Sequence, residues 1–81
     1  MSWTNENNAL HKAYIFADFE AAMHFMQQAA IEIAIHNHHP EWSNVYNKVS
    51  VKLTTHDAGN SVTEKDEKLA VALDTIYNSI S

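Results

Sequence analysis

Trp42-Ser43-Asn44-Val45-Tyr46-Asn47-Lys48-Val49-Ser50-Val51-Lys52-Leu53-Thr54-Thr55 decides the fold. Val49, Val51 and Leu53 project to one side of an extended chain, and Ser50, Lys52 and Thr54 to the other. This alternation is the signature of a strand with one covered face and one wetter face, as antiparallel sheets have. Trp42 to Val45 and Val49 to Thr55 read as two short strands, with the bend at Asn47-Lys48, because Asn tolerates the left-handed backbone that tight hairpins demand.

Working outward, the same pattern recurs upstream. Trp3 to Glu6 reads as a short strand, Asn7-Asn8 as a turn, and Leu10 to Phe16 as a second strand. In it Leu10, Lys12, Tyr14 and Phe16 alternate with His11, Ala13 and Ile15. Asp18 is a helix N-cap and Glu20 suits the positive helix start. Phe19, Ala22, Met23, Met26, Ala29, Ala30 and Ile33 then recur at helical spacing, and the helix is expected to end near His36-Asn37, with Asn37 as a left-handed terminator. Downstream, Asp57 to Ser61 is a loop, and Thr63 with Asp66 resembles a capping box. Leu69, Leu73, Ile76 and Ile80 form a second apolar stripe. The order ββαββα predicts an α+β fold: a two-layer structure with a four-stranded antiparallel sheet and both helices on one face.

The 81 residues are expected to form a single domain, 1–81. A chain this short buries only about 60–65% of its unfolded surface, so oligomerisation would help to stabilise it. There is no cysteine, which excludes a disulfide framework and thiolate catalysis and fits a reducing, cytoplasmic compartment. Met1-Ser2-Trp3-Thr4-Asn5-Glu6-Asn7 has neither the basic nor the apolar region of a signal peptide, and no apolar run reaches bilayer-spanning length. Five basic residues stand against ten acidic ones, the lysines are dispersed, and there is no arginine. Direct nucleic-acid binding is therefore not expected.

The chemistry concentrates in His36-Asn37-His38-His39-Pro40-Glu41-Trp42 and, seventeen positions after His39, in Thr55-His56-Asp57. Imidazole is the side chain whose ordinary titration lies near neutral pH, so it can both donate and accept protons. Pro40 keeps His39 out of the helical basin and places the histidine pair at a chain corner. His38, His39 and His56 are the candidate acid/base residues. His36 reads as a favourable cation at a helix end, and His11 and His24 as structural or solvated. A zinc site built from His36, His38, His39, His56 and Asp57 is an alternative, but adjacent histidines in an extended segment project to opposite sides and no HExxH spacing occurs. Phe19, Met23, Phe25 and Met26 read as core rather than a cofactor cleft. Trp42 either stacks on a planar ligand or anchors the hairpin.

The stretch His38-His39-Pro40-Glu41-Trp42-Ser43-Asn44-Val45-Tyr46-Asn47-Lys48-Val49, followed by Leu53-Thr54-Thr55-His56, resembles the signature of the pterin-4a-carbinolamine dehydratases. The likeness extends to Tyr14-Ile15-Phe16-Ala17-Asp18-Phe19 and to Thr63-Glu64-Lys65-Asp66. The resemblance implies homodimers or homotetramers, and dehydration of 4a-hydroxytetrahydropterin to quinonoid dihydropterin, the step that regenerates the pterin of aromatic amino-acid hydroxylases. It also implies a pterin pocket lined by His38, His39 and His56, and, in animal members, a second role as dimerisation cofactor of a homeodomain transcription factor. Three features depart from the pattern: Ala34 stands where members commonly carry an acidic residue, Gly59-Asn60 replaces the usual Gly-Gly, and no counterpart of the extra N-terminal helix of longer relatives is expected in these 81 residues.

Loss of water from a carbinolamine needs one proton delivered to the departing hydroxyl and one removed from the neighbouring ring nitrogen. The nitrogen lone pair supplies the push, so the chemistry calls for neither a cofactor nor a metal. In this scheme His38 and His56 form the acid/base pair and His39 holds the pterin. Trp42, Thr54, Thr55 and Asp66 complete the substrate-binding set. Thr54 and Thr55 would read the amide edge through backbone groups, and Asp66 would support the His56 loop or cap the helix. The rival from another class is a non-catalytic, dimerising protein-binding module.

Overall fold

The computed structural model describes residues 3–80; Met1, Ser2 and Ser81, including the first two positions of the N-terminal stretch read above, lie outside the described residues. The elements follow as β1 (Thr4–Glu6), β2 (Ala9–Ile15), α1 (Phe19–His36), β3 (Glu41–Val45), β4 (Lys48–Leu53), a 3₁₀ turn (His56–Ala58) and α2 (Glu64–Ile80). The fold is α+β, in the order ββαββα. The four strands form one antiparallel sheet in the order β1-β2-β4-β3, so the second and fourth strands meet at its centre.

Local chemistry sets the corners. Asn7 (φ 52) and Asn8 (φ 61) both take left-handed backbone in the two-residue turn between β1 and β2, the conformation that Asn accepts most readily after Gly. The Asp18 side chain accepts from the Ala21 N–H at 2.8 Å, capping α1 as expected. At the other end Asn37 is left-handed (φ 49), its N–H reaching Ala34 O, while the His38 N–H reaches Ile33 O. This pair of bonds is a Schellman termination, and it fixes where the chain leaves the helix.

The core lies between the helices and one face of the sheet. Tyr14, Phe16, Val49, Val51 and Leu53 from the sheet meet Ala22, Phe25, Ala29 and Ile33 of α1 and Leu69, Ala70 and Leu73 of α2. The predicted β4 alternation holds, with Val49, Val51 and Leu53 buried. On α1, Ala22, Ala29 and Ile33 of the expected stripe are buried and so is Phe25, also read as core, whereas Phe19 is 43% exposed and Ala30 is exposed too. Phe25 occupies the centre because its ring contacts Tyr14, Phe16 and Tyr77 at centroid distances of 4.8, 5.2 and 6.5 Å. A full aromatic ring there outweighs the smaller groups on either side.

The second hairpin also shifts by one residue. Val45 pairs with Lys48, so Tyr46-Asn47, rather than Asn47-Lys48, forms the bend, and Tyr46 takes the left-handed backbone (φ 52). Asn47 is engaged elsewhere: its amide donates to Phe16 O at 3.0 Å and its carbonyl accepts from the Phe16 N–H at 2.8 Å, tying the bend to the end of β2. Asn44 bridges the bend by donating to Tyr46 O and Lys48 O. A bulky side chain with positive φ is strained, and the Tyr46 ring is largely exposed. Tyr46→Gly is therefore expected to raise the unfolding free energy by up to about 1 kcal/mol, read as a higher urea midpoint at unchanged slope.

Candidate active site

The corner between α1 and β3 separates the two adjacent histidines. Beyond the Asn37 termination the chain runs extended into Pro40, which disfavours helical backbone at His39. Successive side chains of an extended segment point to opposite sides. His38 accordingly turns inward, its side chain 11% exposed, and His39 stays exposed.

The inward partner of His38 is Asp66, in the first turn of α2. His38 Nε2–H donates to Asp66 Oδ1 at 2.6 Å. The other carboxylate oxygen accepts from the Thr55 hydroxyl at 2.7 Å and from the Thr63 N–H at 2.9 Å. The Thr63 bond is the capping-box contact that the sequence predicts, and Thr63 Oγ1 further accepts from the Lys65 N–H at 3.3 Å. Asp66 is completely buried. Burial by itself would push its carboxyl up, but the hydrogen bonds from His38, the Thr63 backbone and Thr55, with the attraction of His38, outweigh that and hold it below the ordinary carboxylate range.

His56 arrives from the end of β4. Thr55 and Ser61 pair across a short loop, Thr55 N–H to Ser61 O at 3.0 Å and Ser61 N–H to Thr55 O at 3.4 Å, which closes the segment between them on itself. His56 opens the 3₁₀ turn within this loop, and its Nδ1 lies 2.6 Å from Asn60 Oδ1. Gly59 (φ 72) and Asn60 (φ 57) follow in left-handed backbone.

These segments enclose a groove of about 220 Å³ lined by Asn37, His38, His39, Thr54, Thr55, His56, Asp57 and Lys65. All three candidate histidines and both threonines of the predicted set therefore border one cavity. Thr55 contributes less than expected, because its N–H and C=O are taken up by Ser61 and its hydroxyl by Asp66. The Thr54 hydroxyl donates to Asn8 O at 2.8 Å. Asp66 stands behind the lining, beneath His38, without exposed surface of its own. Trp42 lies elsewhere: it packs against the core and borders a neighbouring apolar groove of about 320 Å³ with Ala30, Ile33, Ala34, His39 and Pro40. His39 is the residue common to both grooves. Asn37, read from sequence only as a helix terminator, Asp57, named there beside His56 and as a possible metal ligand, and Lys65 also line the histidine groove; Lys65 had its signal in the Thr63-Glu64-Lys65-Asp66 block. His36 makes a 3.5 Å ion pair with Glu32 one turn back on α1. Among the described residues no three His, Cys, Asp or Glu side chains are grouped to hold a metal ion, and no helix is long and apolar enough to cross a membrane.

A sequence profile described as Pterin 4 alpha carbinolamine dehydratase matches residues 1–76. The chain belongs to this family. It is 56% identical over 68 residues to a relative from Opitutus terrae, covering 84% of this chain and 70% of that one. It is 52% identical over 75 residues to one from Solibacter usitatus, covering 93% and 78%. Both carry the name "Putative pterin-4-alpha-carbinolamine dehydratase". Among solved structures, a transcriptional coactivator/pterin dehydratase from Brucella melitensis superposes with a TM-score of 0.88 at 41% identity, over 94% of this chain and 82% of that one. A pterin dehydratase-like protein identified as a RuBisCO assembly factor in the alpha-carboxysome superposes with a TM-score of 0.83 at 18% identity, over 95% and 90%. At that identity the likeness is one of fold.

Asp66 ties the site to the stability of the whole fold. Because its folded-state carboxyl is depressed, it contributes stability above its unfolded-state value of about 4, and that contribution is lost as pH falls through the folded value. Asp66→Ala, which strands His38, the Thr55 hydroxyl and the Thr63 N–H, is expected to lower unfolding free energy by about 3–5 kcal/mol at neutral pH in urea titrations. Asp66→Asn is expected to flatten the acid limb of a stability–pH profile.

Proposed function

We propose that this chain dehydrates a 4a-hydroxytetrahydropterin to the quinonoid dihydropterin, with His38 and His56 exchanging the two protons and His39 holding the ring system. The observation that carries this reading is that His38, His39 and His56, from two separate chain segments, border one groove. Membership of the family supports the substrate class.

The residues divide the work as follows. His38 is bonded through Nε2 to the buried Asp66, so Nδ1 is its nitrogen available to a ligand. The Asp66 carboxylate acts on the substrate through His38, holding that ring in one orientation rather than touching the pterin. His56 borders the same groove from its closed loop. One imidazole protonates the departing 4a-hydroxyl, the other takes the proton from the adjacent ring nitrogen, and the nitrogen lone pair forms the new double bond as water leaves. Lys65 and Asn37 also line the groove, with polar side chains suited to the polar edge of a pterin. The same reading carries a homodimer or homotetramer in the cytoplasm, and the exposed Ile31 and Ile35 of α1 support self-association.

The test follows decay of a freshly generated 4a-hydroxytetrahydropterin by stopped-flow absorbance. Purified wild-type protein is expected to accelerate it. His38→Ala and His56→Ala are each expected to reduce that acceleration by about 10²- to 10⁴-fold, the usual contribution of a positioned acid or base. An unchanged rate for either variant removes that histidine from the chemistry, and a wild-type protein without effect favours a pure binding module. EDTA is expected to leave the rate intact, because the nitrogen lone pair drives the departure; loss restored by zinc would contradict the scheme.

A further inference from the structure

The loop that carries His56 holds a contact that the reaction scheme does not use. His56 Nδ1 and Asn60 Oδ1 lie 2.6 Å apart. An amide oxygen can only accept, so the proton of a neutral His56 must sit on Nδ1, leaving the lone pair on Nε2. Asn60 is not among the residues lining the groove, so the bonded nitrogen faces the loop and Nε2 is the one left for a ligand.

The backbone explains how residue 60 returns to residue 56. Gly59 N–H donates to His56 O at 3.0 Å, and Gly59 and Asn60 then take consecutive left-handed conformations, which turn the chain back before Ser61 pairs with Thr55. Glycine would adopt this backbone more easily than asparagine. The loop conformation therefore does not require a side chain at 60, whereas the His56 contact does. Because the bond holds χ angles as well as a proton, it fixes ring direction and tautomer together.

We infer that Asn60 is a positioning residue that locks His56 in the Nδ1–H tautomer and presents Nε2 to the groove as a proton acceptor. The kinetic part rests on the dehydratase reading; the tautomer part does not. The charged and titratable groups around the groove are Asp57 beside His56, Lys65 from α2, and His38 and His39, which line the same cavity. Asn60 differs from them in touching the ring through a neutral amide.

Long-range proton–nitrogen NMR spectra of the full chain, with His56 assigned by comparison with His56→Ala, read the tautomer directly. In wild-type protein above the titration of the ring, Nδ1 is expected to carry the proton. Asn60→Gly, which keeps the left-handed backbone without strain, is expected to shift His56 toward the Nε2–H form and to slow dehydration by about two- to tenfold, the scale of one exposed hydrogen bond. Asn60→Asp keeps an acceptor at the same place and is expected to preserve the tautomer while moving the His56 titration to higher pH. Two results overturn the inference: a wild-type His56 protonated on Nε2, which would mean that the amide donates instead, or an Asn60→Gly spectrum identical to wild type. A shifted tautomer with unchanged turnover overturns the kinetic part. Absence of turnover in wild-type protein counts against the dehydratase reading alone and leaves the spectra to decide the role of Asn60.

Discussion

A carboxylate removed from water is costly unless its oxygens are met by donors, and Asp66 is a carboxylate with no exposed surface at all. Its donors come from three places: His38 beyond the end of α1, Thr55 beyond the end of β4, and the Thr63 backbone ahead of α2. Each must be in place at once, so the ends of three elements are forced to converge. The groove is the space left above that convergence. Its polar wall is therefore a by-product of satisfying one buried charge, which is why His38 needs no loop of its own to be held.

Asp66 is also one end of a longer arrangement. Asp66, Leu69, Ala70, Leu73 and Asp74 follow helical spacing down a single stripe of α2. The apolar members drive the helix onto the sheet but say little about its rotation, because hydrophobic contact is non-directional. The two carboxylates supply direction. Asp74 accepts from Lys12 and Tyr14 of β2 at 2.6 Å each and from Trp3 at 3.2 Å, two turns away from Asp66. Burial would raise the Asp74 carboxyl, but the Lys12, Tyr14 and Trp3 contacts hold it below the ordinary range. Burial and the neighbouring carboxylate push the Tyr14 hydroxyl upward. With both ends of the stripe pinned, the first turn of α2 has one position available, and that position puts Asp66 beneath His38.

Much of this was legible locally. The Asn7-Asn8 turn, the Asp18 cap, the Asn37 termination and the Thr63–Asp66 cap depend on neighbours only a few residues apart, and each is where the sequence places it. The alternation of Val49, Val51 and Leu53 identified the covered face. The misses have a common cause. Tyr46 takes the strained corner because Asn47 is needed 31 residues away, at Phe16. Phe25 is core as read, its ring meeting Tyr14 and Tyr77, whereas Phe19 at the first turn of α1 is 43% exposed. Lys12 reads only as one position of an alternating strand, and nothing local names its partner Asp74, 62 residues away. Asp66 reads as a cap or as a support of the His56 loop within the substrate-binding set, and its second oxygen, the one that reaches His38, is invisible at that range. Asn60 reads as a residue tolerant of left-handed backbone, and its side chain becomes informative only once His56 is folded back beside it.

The two histidines assigned to proton exchange differ in what stands behind them. His38 is backed by a buried charge that belongs to the core, so its orientation is as durable as the packing of α2 against the sheet. His56 is backed by a neutral amide on an exposed loop closed by its own Thr55–Ser61 pairing, and opening that loop would expose few apolar contacts. Loops held this way adjust more readily than helices and strands. The two histidines border one groove from supports of different kinds, one held by the core and one by an exposed loop. The buried carboxylate thus does two things that a purely apolar contact could not: it sets the rotation of a helix, and it holds one imidazole against the core.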